Sequence, residues 1–292
     1  MSRIGDSAVV VSGEALIDLV LARDGTLEGH PGGGPYNVAR TIGRLGQAVP
    51  YLGRVSADGF GARLRRQLES DGVDLGSVIA TDAPTTLALA ELDATGAAVY
   101  HFYDAGTSAP GLTLAAAQAA LPERVDVFYL GTLGLVFEPM ATTLETLVAA
   151  MPAATLVALD PNCRPSVIDD PAAFRGRLRR PLARTDVIKA SADDLAWIDP
   201  GTDPVTAARR LLPRSDALAL VTLGGAGAVA VNRERTSRSP RRRSTWSTRS
   251  VREMHSWAPF SLTGASAGSA ARSSDDSTTS SRRPGSPVAS RP

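Results

Sequence analysis

Gly13-Glu14-Ala15-Leu16-Ile17-Asp18 and, past a turn at Arg23-Asp24-Gly25, the run Gly32-Gly33-Gly34-Pro35-Tyr36-Asn37-Val38-Ala39 decide how this chain folds. Before the first stretch, Val9-Val10-Val11 is a short continuous apolar run, the pattern of a strand buried on both faces. Gly13 turns the chain, and Leu16 to Val20 reads as a second extended piece. The glycine run opens a helix: Val38, Ile42 and Leu45 recur at spacings of four and three, and Gly46 suits its C-terminal cap. A glycine loop at a helix start offers backbone N–H groups to an oxygen-rich ligand. Alone, a glycine triplet is equally compatible with a plain tight turn. Glu14 and Asp18 interrupt the apolar N-terminal stretch. A signal peptide needs an unbroken apolar segment, so a buried strand with functional carboxylates is the better reading.

Outward from there the same rhythm repeats. Val49 to Gly53 is a short strand, and 58–71 a helix ending at Gly72. Residues 85–102 alternate in a strand-like way about an Asp93-Ala94-Thr95-Gly96 turn, the pattern of an antiparallel hairpin. Strands follow at 125–131, 155–160, 187–189 and 217–222, with helices at 139–151, 174–182 and 204–212 between them. Apolar strands alternating with helices predict a largely parallel sheet covered on both faces. In such sheets ligands bind at the carboxyl ends of the strands.

Composition excludes several classes. The one cysteine, Cys163, allows no internal disulfide and no cysteine metal cluster, which fits a reducing cytoplasm. No run of about 18 apolar residues predicts a membrane span. The three histidines sit in no nucleophile or zinc pattern. The net charge of +1 hides an asymmetry: residues 233–292 hold twelve Arg against four acidic residues, so the remainder is acidic. That last segment also holds sixteen serines and almost no apolar periodicity. Read literally it is a basic, low-complexity tail without the aromatic or helical pattern of a nucleic-acid reader.

Four constellations carry chemistry. Asp18 with Gly33, Gly34 and Asn37 offers a carboxylate, backbone N–H groups and an amide, which together can satisfy several hydroxyls. Asp160-Pro161-Asn162-Cys163-Arg164 follows a buried strand, and an arginine fork pairs bidentately with oxyanions. Lys189-Ala190-Ser191-Ala192-Asp193-Asp194 is read either as a ligand site or as a helix N-cap with dipole-matched acids. Val221-Thr222-Leu223-Gly224-Gly225-Ala226-Gly227 is a strand ending in a glycine turn.

Taken together these segments resemble the ribokinase/PfkB carbohydrate kinases over residues 8–232. The resemblance implies a three-layer α/β/α sandwich with a mostly parallel sheet and a small β-lid built from about 16–29 and 85–103. It implies ATP-dependent phosphorylation of a sugar hydroxyl, with ATP and Mg2+ as cofactors and closure of the lid excluding water. In its terms Asp18, Gly33, Gly34, Asn37, Tyr103 and Arg164 bind substrate, with Arg164 also placed to orient the transferring group. Lys189, Ser191, Thr222, Gly224 and Gly227 lie on the nucleotide side, and Asp194 holds Mg2+ through water. The Gly-Glu-Ala-Leu-Ile-Asp wording and Phe102-Tyr103 lean toward the fructokinase or 2-keto-3-deoxygluconate kinase branch. A nucleoside kinase of the same fold is a third option. A homodimer through the lid is the implied assembly.

The pattern then breaks. Family members carry a second signature after the glycine turn, D-T-x-G-A-G-D, which supplies an anion hole at a helix N-terminus and the aspartate that takes the hydroxyl proton. It is absent from the chain as written. Regrouping the degenerate codons of Ser244 to Trp257 one base upstream, however, permits V-D-V-V-D-T-V-G-A-G-D-A-F-M-G, with the base-equivalent aspartate straddling Glu253 and Met254. This points to a frameshift between Asn232 and Arg243, with residues 233–292 read out of frame. The rival reading is a non-catalytic, sugar- or nucleotide-binding remnant with an apolar sheet face left bare.

Overall fold

Val10 and Val11 are both fully buried, and they point into different cores. They belong to β1 (Val9–Ser12), which lies inside a nine-stranded sheet. The structure is a computed structural model that describes residues 8–21, 24–92 and 98–239. The Asp93–Gly96 turn and the tail from 240 onward lie outside the described residues.

In chain order, β1 leads to β2 (Leu16–Leu21), β3 (Leu27–Gly32), α1 (Gly34–Arg44), β4 (Tyr51–Ser56), α2 (Gly59–Ser70) and β5 (Val78–Thr81). Next come β6 (Leu87–Leu92), β7 (Ala98–Tyr103), α3 (Leu114–Ala120), β8 (Val127–Gly131), α4 (Met140–Ala150) and β9 (Leu156–Asp160). The described chain closes with α5 (Pro171–Arg184), β10 (Val187–Ser191), α6 (Ala192–Ile198), α7 (Pro204–Leu211), β11 (Leu218–Thr222), β12 (Ala228–Val231) and β13 (Thr236–Ser239). The main sheet runs β13-β12-β11-β10-β9-β8-β1-β4-β5. All its pairs from β11 to β5 are parallel, and β12 and β13 add an antiparallel margin. The carboxyl ends of β1, β8, β9, β10 and β11 therefore stand side by side.

At β1 and β4 the sheet is covered on both faces, as the apolar runs predict. Val10 and Leu52 pack into one core with Phe128, Leu130 and Leu144. Val11 and Tyr51 pack into the other with Tyr36, Leu64 and Leu68 from α1 and α2. Over β9 to β12 the expectation fails. Val157, Leu159, Ile188, Ala190, Ala219, Val221, Val229 and Val231 are buried on one face. On the other, Leu156 is 38% and Leu220 40% exposed. There Lys189, Leu220, Ala230 and Ser237 form one cross-strand row, and a groove of about 410 Å³ opens along it. Among the described residues no helix covers that face.

The second sheet is the lid, in the order β3-β2-β6-β7. It extends to Gly32, beyond the expected boundary near 29, because β3 pairs with β2 along its full length. Its register sets His30, Asp18, Ala88 and Phe102 in one row and Ile17, Leu87 and Tyr103 in the next. Since side chains alternate faces along a strand, Asp18 and Phe102 share a face and Tyr103 lies on the other.

Candidate active site

The glycine run is dictated by close approach. Gly33 has φ 110°, and a Cβ there would come within 2.6 Å of the Glu14 carbonyl oxygen. A Cβ on Gly34 would meet Thr132 Oγ1 at 2.2 Å, and one on Gly32 would meet Asp18 Oδ2 at 2.0 Å. The loop thus threads between the end of β1, the start of the lid and the turn after β8. Pro35 at the first turn and Arg44 in the last suit the helix that follows. Asn37 sits on its first turn, exposed, with its Oδ1 3.4 Å from Arg40 Nη1.

Asp18 faces this loop from β2. Burial raises its carboxyl to about 6, against the pull of His30 and Arg164. It is ionised at neutral pH and can accept from hydroxyls. Arg164 follows β9 and is bent back on its own turn: Nη1 donates to Asn162 O at 3.1 Å, Asn162 Oδ1 at 2.8 Å and Cys163 O at 3.1 Å. Its Nη2 and Nε have no partner among the described residues. Asn162 adopts φ 35° and donates from Nδ2 to Thr132 Oγ1 at 3.1 Å. The structure thus brings Asp18, Gly33, Gly34 and Arg164 to one place. It does not bring Tyr103, which is 56% exposed on the outer face of the lid. Phe102 takes the inner row instead, with its ring 6.3 Å from that of Phe137.

Sequence reasoning missed two residues here. Glu14 is fully buried and accepts from Gly34 N at 2.9 Å and Gly134 N at 3.1 Å. Thr132, at φ 55°, links the glycine loop to Asn162. The signal for Glu14 was an acid at the end of an apolar strand. Nothing in the sequence announces Thr132.

Along the sheet toward β11 the groups change character. Lys189 Nζ donates to Asp160 Oδ2 at 2.9 Å. Asp160 is raised by burial, against the lysine, and its Oδ1 is buried without a partner. The Asp194 carboxylate is held within the fold by three donors. Oδ1 accepts from Cys163 N at 2.7 Å, and Oδ2 from Ser191 N at 2.9 Å and Ser191 Oγ at 2.6 Å. Ser191 Oγ accepts from Asp194 N at 3.0 Å, which completes a capping box for α6. Thr222 is exposed at the end of β11, and Gly224 (φ 55°) and Gly227 (φ 91°) form the turn to β12, closed by Leu223 N to Gly227 O at 2.8 Å. No group of three His, Cys, Asp or Glu among the described residues could hold a metal ion.

A carboxylate, a glycine loop and a guanidinium thus meet beneath a four-stranded sheet, at the carboxyl edge of a parallel sheet with a second glycine turn along it, the layout of a small-molecule phosphotransferase. Residues 6–248 match the pfkB family carbohydrate kinase profile, and the chain belongs to that family. It is 32% identical over 245 residues to the fructokinase of Rhizobium leguminosarum bv. trifolii, covering 81% of this chain and 73% of that protein. It is 35% identical over 243 residues to the fructokinase of Klebsiella pneumoniae, covering 80% and 76%. A crystal structure of fructokinase with bound ATP from Xylella fastidiosa superposes with a TM-score of 0.70 at 25% identity, covering 80% of this chain and 77% of that one.

Proposed function

We propose that the chain is an ATP-dependent sugar kinase of the fructokinase branch, transferring the γ-phosphoryl of ATP to a hydroxyl of fructose or a close relative. The observation that carries this is the cup itself: Asp18, the Gly33-Gly34 loop and Arg164 converge beneath a lid, in a chain 30–35% identical to fructokinases. The described lid strands hold Asp18, Glu28 and Glu91 and neither Lys nor Arg. That leaves the lid itself without a cation for a sugar acid's carboxylate.

Asp18 orients the sugar by accepting from its hydroxyls, and the Gly33 N–H is left to meet its ring, since Gly34 N donates to Glu14 Oε1 at 2.9 Å. The free edge of Arg164 pairs with the oxyanion that moves between donor and acceptor. ATP supplies the phosphoryl group, and Lys189 and Thr222 lie on its side. Mg2+ would meet the triphosphate there, and Asp160 Oδ1, the orphaned acceptor, is the protein oxygen that fits a hydrated ion. Cytoplasmic residence and pairing of two copies through the lid, whose outer face shows Leu27 and Tyr103, complete the reading. No described helix is long and apolar enough to cross a membrane.

The base and anion hole belong, in this proposal, to residues 240–292 read one frame away. Each restored codon starts with the last base of a written one, the signature of one lost base upstream. Two restored letters hold for any codon choice: the Met254–His255 junction gives alanine and Trp257–Ala258 gives glycine. That no described helix covers the β9 to β12 face supports this, since the segment that would cover it is then the one read out of frame. Resequencing the gene across codons 225–292, then assaying the corrected chain with ATP and fructose, tests the proposal. A missing base and a phosphorylating enzyme, silenced by asparagine at the restored aspartate, are the expected results. An intact reading frame with no sugar phosphorylation would leave a binding remnant.

A further inference from the structure

Glu14 has no exposed surface, yet its carboxylate meets two backbone donors from distant parts of the chain. Oε1 takes the N–H of Gly34, at the first residue of α1, and Oε2 takes that of Gly134, in the turn Thr132–Leu135 after β8. Those partners lie 20 and 120 residues away. A planar carboxylate is the side chain that presents two acceptor edges to two donors at once. An aliphatic residue here would orphan both donors.

The contacts continue from that bridge. Thr132, in the turn held by Gly134, lies against Gly34 and accepts from Asn162 Nδ2 at 3.1 Å. Asn162 in turn accepts from Arg164 at 2.8 Å. Glu14 is thus the root of a line of polar contacts from the glycine loop to Arg164, the two sides of the cup.

We infer that Glu14 is a positioning residue for sugar binding, fixing the gap between the Gly33-Gly34 loop and Arg164 without touching the sugar. The inference rests on the sugar-kinase reading above. Gly134 N–H is buried, so the bridge has no water to replace it. The charged or titratable groups facing Glu14 are Arg164, Tyr51 and Tyr129, and burial pushes its carboxyl up to about 8.

The test is calorimetric titration of the full chain with fructose, 2-keto-3-deoxygluconate, adenosine and ATP, for the wild type, Glu14→Gln and Thr132→Val. Gln keeps the shape but turns an N–H₂ toward one of the two donors; Val keeps the shape of Thr132 but breaks the next link. Both variants are expected to lose tenfold or more in fructose affinity while ATP affinity holds. Wild-type fructose affinity should also change near pH 8, and the Gln profile should be flat there. Unchanged fructose affinity in Thr132→Val overturns the inference even if Glu14→Gln fails to fold. A parallel fall of fructose and ATP affinity with melting temperature overturns it too, by making the role merely structural. Wild-type chain that binds none of the three acceptors overturns the sugar-site reading and the inference with it.

Discussion

Leu130 on β8 and Leu220 on β11 are the same residue on strands three places apart in one sheet, and they live in different surroundings. Leu130 is fully buried with Phe128 and Leu144; Leu220 is 40% exposed over an open groove. The β1 and β8 half of the molecule has two finished cores. Among the described residues, the β9 to β12 half has one finished core and one face that no helix covers. Hydrophobic stabilisation scales with apolar area removed from water, so the halves draw unequally on it. A bare apolar face of several strands is also an invitation to association.

Correcting the frame should break this contrast most completely. The corrected chain is expected to go from no turnover to ATP-dependent sugar phosphorylation, measured by coupled ADP release. The written chain should bind a hydrophobic dye at that face, and the corrected chain should lose that binding. Dye binding that stays the same after correction would mean that the missing segment packs elsewhere.

The paired leucines sharpen the contrast by direct measurement. Leu130→Ala should cost about 2–5 kcal/mol in denaturant unfolding, the range for a buried truncation. Leu220→Ala in the written chain should cost within about 0.5 kcal/mol, as for an exposed site. In the corrected chain the second value should climb toward the first. Equal losses in the written chain would show that the groove at Leu220 is filled.

Asp18, on the lid side, carries a titration of its own. The folded carboxyl of Asp18 sits near 6, raised from 3.8 by burial. A raised carboxyl makes the folded state hold the proton more tightly than the unfolded one. Its contribution to stability is therefore complete below about 4 and is lost as pH rises through 6, on the order of 2 kcal/mol. Sugar binding should run the other way, weakening as pH falls below 6 and the acceptor is protonated. Asp18→Asn should flatten the sugar-binding profile between pH 4 and 7 and reduce the slope of the stability profile, whose remainder belongs to Glu14, raised to about 8, and to Asp160.

Much of this was legible in the residues. The alternation of apolar runs with helical periods gave the parallel sheet, and the glycine run gave a loop that the structure shows to be sterically obligatory at Gly33 and Gly34. What escaped reading depends on register and on partners far away in sequence. Whether Phe102 or Tyr103 shares a face with Asp18 is set by how β6 pairs with β2, and a one-residue change of register reverses it. The N-cap reading of Ser191 to Asp194 holds, but the third donor to Asp194 comes from Cys163, on the turn after another strand. Glu14 and Thr132 are bound to groups that only the folded chain brings near.

The smallest effect concerns helix caps, one in each half. Asp58 caps α2, accepting from Gly61 N at 2.8 Å, and it also accepts from Thr85 N at 2.8 Å and Thr85 Oγ1 at 2.6 Å. Thr85 leads directly into β6, so this one carboxylate ties the sugar-side helix to the root of the lid. Asp203 caps α7 with only Val205 N and Thr206 N, both at 3.1 Å. Asp58→Ala should cost about 1 kcal/mol for the cap, with more lost from the buried Thr85, whereas Asp203→Ala should cost less. Although its partly buried site resists the charge, the bonds from Thr85 and Gly61 hold the Asp58 carboxyl down at about 2. Its stabilisation is therefore present above its unfolded value of 3.8 and lost as pH falls toward 2. The gap between wild type and Asp58→Ala should close over that window in acid unfolding. A gap that persists at pH 2 would mean that Asp58 acts on the lid by its shape and not by its charge.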